Sequence, residues 1–252
     1  MSRGLRNISL VLTVTAAVTG CVSNAPEPKT WEPDKQADIN AELAANYMKR
    51  DQLVDARDKL EKALSIQPDH PRANHYMGVL QARLGDNRSA ENYFERAIRS
   101  DPEDGQAAHD YGIFLCRQGR MDQALKQFES VLANPLYQRK EVTHLRAAEC
   151  LLAKNDLAGA ESYFRKALEV NPRFMPALLS MAEINFANAQ YLVARAYIER
   201  YFGVGPETAP SLLLAAKIER ELGALEQARK YAAQLQQRFA NSDEARELDG
   251  LK

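Results

Sequence analysis

The chain is poor in the residues on which most enzymes and metal proteins depend. Four histidines, three cysteines and one tryptophan are scattered through 252 residues. The His and Cys residues show no zinc-type spacing. Its 12 glycines never gather into a phosphate-cradling loop, and no nucleophile motif is present. These absences remove the usual signatures of phosphoryl transfer, metal-assisted hydrolysis and covalent catalysis, so the expectation is a non-enzyme without cofactor, metal or small-molecule substrate. A formal net charge of -1 lacks the large single-sign excess of a nucleic-acid or anionic-membrane surface. Carboxylates are abundant, but at solvent-facing helical spacing, where solvated charge is the default. The apolar run from Ile8 to Val18 is too short to span a bilayer.

What the chain has is repetition. Ala56, Ala90, Ala124, Ala160, Ala194 and Ala228 recur at intervals of 34, 34, 36, 34 and 34 residues. Four residues after each stands Leu60, Phe94, Phe128, Phe164, Ile198 or Ala232. Three further on come Ala63, Ala97, Val131, Ala167, Tyr201 and Leu235. Prolines close the units at Pro68, Pro102, Pro135, Pro172 and Pro206, where a helix cannot continue. This pattern resembles the tetratricopeptide repeat, a helix–turn–helix unit that stacks into a solenoid. It implies an all-α, right-handed superhelical solenoid of six repeats over residues 37–70, 71–104, 105–138, 141–174, 175–208 and 209–242. Residues 243–252 then form a C-terminal capping segment, with Asn241-Ser242-Asp243-Glu244 opening a short helix through Leu248. The eighth residue of each first helix is small (Ala44, Gly78, Gly112, Ala148, Ala182, Ala216) and is expected to face the recurring alanine of the second. A solenoid of this kind offers a concave surface to a partner and no built-in reaction centre.

The segment before the repeats has its own pattern. Arg3 and Arg6 precede the apolar run, and Val18-Thr19-Gly20-Cys21 resembles the bacterial lipobox. That resemblance implies a signal peptide over 1–20, cleavage before Cys21, and lipid attachment to Cys21. Val22 in place of aspartate implies retention at the outer membrane, on the inner leaflet facing the periplasm. Several acyl chains give stable anchoring. Cleavage removes Arg3 and Arg6 and takes the net charge from -1 to -3. Residues 21–36, with Pro26, Pro28 and Pro33, read as an extended or disordered tether of roughly 45–50 Å that carries Trp31.

By the repeat register, the groove-lining positions of the first helices are Arg72, His75, Val79, Arg83, His109, Ile113 and Arg117 in repeats two and three. In repeats four and five they are Val142, Leu145, Leu152, Leu179 and Phe186. The groove is thus partly apolar and basic toward its N-terminal half. It lacks the Lys/Asn arrangement that clamps a C-terminal carboxylate, and suits a peptide with apolar anchors; the alternative is that the superhelical curl covers its apolar residues. His75 and His109 lie 34 residues apart and read as groove lining, since two histidines make a poor metal site. Cys116 and Cys150 occupy positions twelve and ten of neighbouring first helices. A bridge between them and a pair of reduced buried thiols are both compatible with that placement. The off-period segment Asn134-Pro135-Leu136-Tyr137-Gln138-Arg139-Lys140 reads either as a contact patch that alters local curvature or as a tolerated loop.

Three segments make the resemblance more specific: Tyr111-Gly112-Ile113-Phe114-Leu115-Cys116, the Asn134-Pro135-Leu136-Tyr137 insertion, and Ser211-Leu212-Leu213-Leu214 running into Ala215-Ala216-Lys217-Ile218. They are similar to the type IV pilus biogenesis lipoproteins of the PilF/PilW family, over nearly the whole chain. The resemblance implies a pilotin, which binds subunits of the pilus secretin and promotes their outer-membrane delivery and multimerisation, with other pilus-assembly proteins as further partners. It also implies a Cys116–Cys150 bridge. The alternative on the same lipoprotein–solenoid plan is a periplasmic scaffold for peptidoglycan enzymes or for outer-membrane barrel assembly.

Overall fold

A computed structural model describes residues 33–249; Cys21, Trp31 and the signal and lipobox positions lie outside the described residues. Among those residues there are thirteen helices and no strand. They are α1 Pro33–Lys49, α2 Leu53–Ile66, α3 Pro71–Leu84, α4 Asn87–Ser100, α5 Gly105–Arg117, α6 Met121–Ala133, α7 Lys140–Ala153, α8 Leu157–Val170, α9 Met175–Ala187, α10 Tyr191–Phe202, α11 Ala209–Glu221, α12 Leu225–Arg238 and α13 Asp243–Asp249. Consecutive helices pair as α1/α2 through α11/α12, and each pair packs on the next. This is a tetratricopeptide solenoid of six repeats.

The tether boundary at residue 36 needs correction, because α1 already begins at Pro33. Proline suits a first helical position, where its missing N–H would have no partner anyway. Asp34 in the same turn complements the positive end of the helix.

The repeat pattern becomes packing in a direct way. Ala56, Ala90, Ala124, Ala160 and Ala194 are fully buried, and Phe94, Phe128 and Phe164 insert beside them. The small residues of the first helices make room for these rings rather than for the alanines. A Cβ on Gly112 would fall 2.6 Å from the Phe128 ring, and one on Gly78 3.0 Å from Phe94. The turns repeat as well. Asp51, Gly85, Gly119, Asn155, Ala189 and Gly223 all have positive φ, between 57° and 82°, and hold one register position. Second helices are capped where the turn supplies an acid: Asp86 accepts from the Ser89 N–H and Asp156 from the Gly159 N–H. At the C-terminal end, Ala245 of α13 packs with Leu212, Leu213 and Leu235.

The off-period segment is part of the packing, not a free loop. Asn134 donates from Nδ2 to the Glu103 carbonyl at 2.7 Å and accepts from the Leu136 N–H at 2.8 Å. Tyr137 folds back over α5, stacking on His109 with ring centroids 6.4 Å apart. It also fills the space beside Gly105, where a Cβ would fall 2.8 Å from its ring. The two extra residues therefore seat an aromatic between repeats. Cys116 and Cys150 are joined by a disulfide with Cα atoms 5.8 Å apart, which ties α5 to α7 across this segment.

Candidate functional site

The first helices of repeats two and three bring Val79, Arg83, Ile113 and Arg117 to one cleft of about 320 Å³, floored by Phe94 and Phe114 and edged by Asp110 and Gln118. The cleft continues into a second of about 250 Å³, where Ile113 and Arg117 meet Arg146 and Glu149 with the Cys116–Cys150 disulfide beneath. Arg83 is steadied by donating to the Met48 carbonyl at 3.1 Å, and Arg146 pairs with Glu149 at 2.6 Å. The result is an apolar strip with a guanidinium from each of three successive repeats, an arrangement able to hold an apolar side chain and a carboxylate side by side.

The other predicted lining residues separate. Leu152, Leu179 and Phe186 are half-buried and pack on the core of repeats four to six. Arg72 is exposed, but it sits 3.5 Å from Asp38 in a different, acidic cleft with Asp34, Asp101 and Asp104. Leu145 is buried in the core and lines no groove.

His75 and His109 are also not groove residues, which corrects their reading from the register. Only 4% and 2% of their surface is exposed, because the fifth helical position lies at the contact between neighbouring first helices. There each ring finds a partner one repeat on: His75 Nε2 donates to Asp110 Oδ2 at 2.7 Å, and His109 Nδ1 hydrogen-bonds Thr143 Oγ1 at 2.9 Å. Burial pushes the Asp110 carboxyl upward, but the hydrogen bond and charge of His75 outweigh it and hold Asp110 below the usual carboxylate range. Burial takes His109 down to about 4, so its ring is neutral at neutral pH.

Sequence reasoning missed the ion pairs that lock repeats together. Arg120 makes a two-pronged contact with Glu91, with nitrogen–oxygen distances of 2.8 and 2.7 Å, and Glu91 also accepts from the Tyr111 hydroxyl at 2.9 Å. Arg195 grips Glu219 of the next repeat in the same manner. The available signal was complementary charge on neighbouring repeats, 29 residues apart for Glu91 and Arg120 and 24 apart for Arg195 and Glu219. Among the described residues no three His, Cys, Asp or Glu side chains converge as a metal site needs, and no helix is long and apolar enough to cross a membrane.

The tetratricopeptide-repeat family matches residues 76–137, 143–174 and 211–242. The chain is similar to the type IV pilus assembly protein PilF of Pseudomonas aeruginosa, 26% identical over 247 residues, which is 97% of this chain and 98% of that one. It is similar in structure to Pseudomonas aeruginosa PilF, with a TM-score of 0.74 at 25% identity over 87% of this chain and 99% of the other. PilW, described as a widely conserved type IV pilus biogenesis factor, superposes with a TM-score of 0.71 at 29% identity over 84% of this chain and 97% of its own. A tetratricopeptide-repeat protein from Parabacteroides merdae, at 20% identity and a TM-score of 0.56, shares the fold.

Proposed function

This chain belongs to the PilF/PilW-like, type IV pilus biogenesis branch of the tetratricopeptide-repeat proteins, and from that membership we propose that it acts as a pilotin. In this reading Cys21 carries the lipid that holds the protein at the inner leaflet of the outer membrane. The segment before Pro33 lets the solenoid search, and the cleft of repeats two to four engages a segment of a secretin subunit. Tethering raises the local concentration of bound subunits at the membrane and favours their assembly into rings. The observation that carries the reading is the end-to-end match with PilF, 97% of one chain on 98% of the other. A shared solenoid alone is compatible with many functions, whereas this match spans nearly the whole length of both chains.

The cleft chemistry fits the role of a peptide receptor. Val79 and Ile113 add apolar contacts over the floor of Phe94 and Phe114, and Arg83 and Arg117 offer cationic donors beside them. The deciding experiment is secretin multimer formation and membrane fractionation in cells with and without this protein. Loss of rings, or their accumulation at the inner membrane, is expected in its absence. Cys21→Ala is expected to leave secretin binding intact while misplacing the rings, and Ile113→Glu to weaken binding itself. Normal rings at the outer membrane without the protein would remove the pilotin role and leave a periplasmic scaffold as the better reading.

A further inference from the structure

The last repeat is unlike the other five. Ala56, Ala90, Ala124, Ala160 and Ala194 have no exposed surface, because each is covered by the first helix of the following repeat. Ala228, the sixth, is partly exposed, and Leu235 is the one buried residue of α12. The cover that exists is α13. Asp243 stands 34 residues after Ala209, so α13 occupies the first two turns of the place a seventh first helix would take. Past it an apolar cleft of about 230 Å³ stays open, walled by Ala216, Leu225, Ala228 and Ala232, closed at one end by Leu248, and rimmed by Lys217, Arg220 and Arg229. Ala232 is the reason for the hole: the same position carries Leu60, Phe94, Phe128, Phe164 and Ile198 in the other repeats.

The preceding junction shows what such a surface accepts. There α11 lays Leu214, Ala215 and Ile218 against Ala194, Ile198 and Tyr201. Glu219, immediately after Ile218, takes two hydrogen bonds from Arg195. Arg229 holds the register position of Arg195, 34 residues later. It pairs with Glu226 on its own helix, with side chains 71% and 83% exposed, and a pair so open to solvent is easily exchanged. At the register position of Ile218 the sequence has Lys252, a cation where the preceding junction seats an apolar side chain.

We propose that the α11–α12 end of the solenoid is a second docking site that takes an amphipathic helix of a partner protein, with an apolar side chain seated between Ala228 and Ala232 and a carboxylate directly after it on Arg229. The bound helix occupies the place and register that α11 occupies one repeat earlier. This site is separate from the groove and does not depend on the secretin reading.

The test uses a fluorescein-labelled synthetic peptide of residues 208–222, a copy of α11 with its own capping box from Thr208 and Ser211, titrated into the purified full chain. Saturable binding is expected. It should weaken roughly tenfold or more with Glu219→Lys in the peptide or Arg229→Glu in the protein, and recover when the two are combined. Ala232→Phe should abolish it while preserving or raising the melting temperature, since Phe164 already packs at the same register position opposite Ala148. The proposal fails if the wild-type chain shows no saturable binding, or if binding ignores both protein substitutions. It fails equally if the peptide binds only after residues 250–252 are removed, which would make the chain its own occupant. A concentration-dependent dimer abolished by Ala232→Phe in sedimentation velocity would assign the seat to a second copy instead and overturn the partner reading.

Discussion

His109 and His75 show how a single position changes meaning between the repeat register and the packed molecule. The register places both on first helices, among the residues that line the groove. Their fate is set by what stands one repeat on, Asp110 for His75 and Thr143 for His109. His109 is further enclosed by Phe128 and Tyr137, and its pKa of about 4 follows from that enclosure. The consequence for stability has a definite sign. The folded pKa lies below the unfolded value of 6.5, so as pH falls the unfolded chain takes up a proton that the folded chain refuses. Stability is therefore full above about pH 6.5, declines as pH falls toward 4, and levels off below it, with about 3 kcal/mol at stake. His144, also lowered to about 4 by burial, adds in the same direction but less, because it is partly exposed. Urea unfolding of wild type and His109→Gln between pH 7.5 and 5 checks this. The variant is expected to be weaker at pH 7.5 yet to show a shallower decline below pH 6.5. Parallel profiles would mean that His109 is protonated in the folded protein.

At the scale of helices and turns, the legible and the illegible separate by cause. The thirty-four-residue period and the paired helices were readable because each repeat imposes the same local demands, a small residue in the first helix, an alanine in the second and, in five of the six, a proline past the end. Ala189 was not readable in this way. With φ of 57° it adopts a conformation costing about 1–2 kcal/mol in a residue with a Cβ, so the turn is dictated by the stack and not by its own sequence. The disulfide was not decidable from register alone. Position twelve of such a helix ordinarily faces the groove while position ten leans toward a neighbour, and Cys116 and Cys150 lie 34 apart where the repeats are 36 apart. Only the packed helices show that the two sulfurs meet. Closing that loop restricts the unfolded chain, and removing the bridge with Cys116→Ser and Cys150→Ser is expected to cost about 2–4 kcal/mol. Denaturant melts with and without reductant should show the wild type shifting to lower midpoint and the double variant unmoved. A wild-type midpoint indifferent to reductant would show that the bridge does not contribute.

For the whole solenoid, stability is a sum of repeat and junction contributions, so it varies along the chain. Repeats four to six share one continuous core from Leu145 to Ile218, and repeats three and four are further joined by the disulfide. The C-terminal end has less support: Tyr231 of α12 packs only partly buried against that core, Leu235 is the one buried residue of α12, and α13 is a helix of seven residues. Of the residues read as groove lining, Val79, Arg83, Ile113 and Arg117, two pairs 34 residues apart, meet in one cleft. The open end was not legible in the sequence, because exposure of Ala228 depends on what fails to cover it, and no periodic pattern records a missing neighbour. A gradient of opening follows, with amides of α12 and α13 exchanging well before those of α6 to α10. Hydrogen-exchange mass spectrometry resolves the two regions directly. Uniform protection across residues 121–249 would instead mean that the repeats open as one cooperative unit. In that case the weak burial of α12 would have to be offset by interactions elsewhere in the stack. If the gradient is found, any helix that seats on Ala228 and Arg229 must slow exchange in α12 by mass action, which makes the end of the solenoid report its own occupancy.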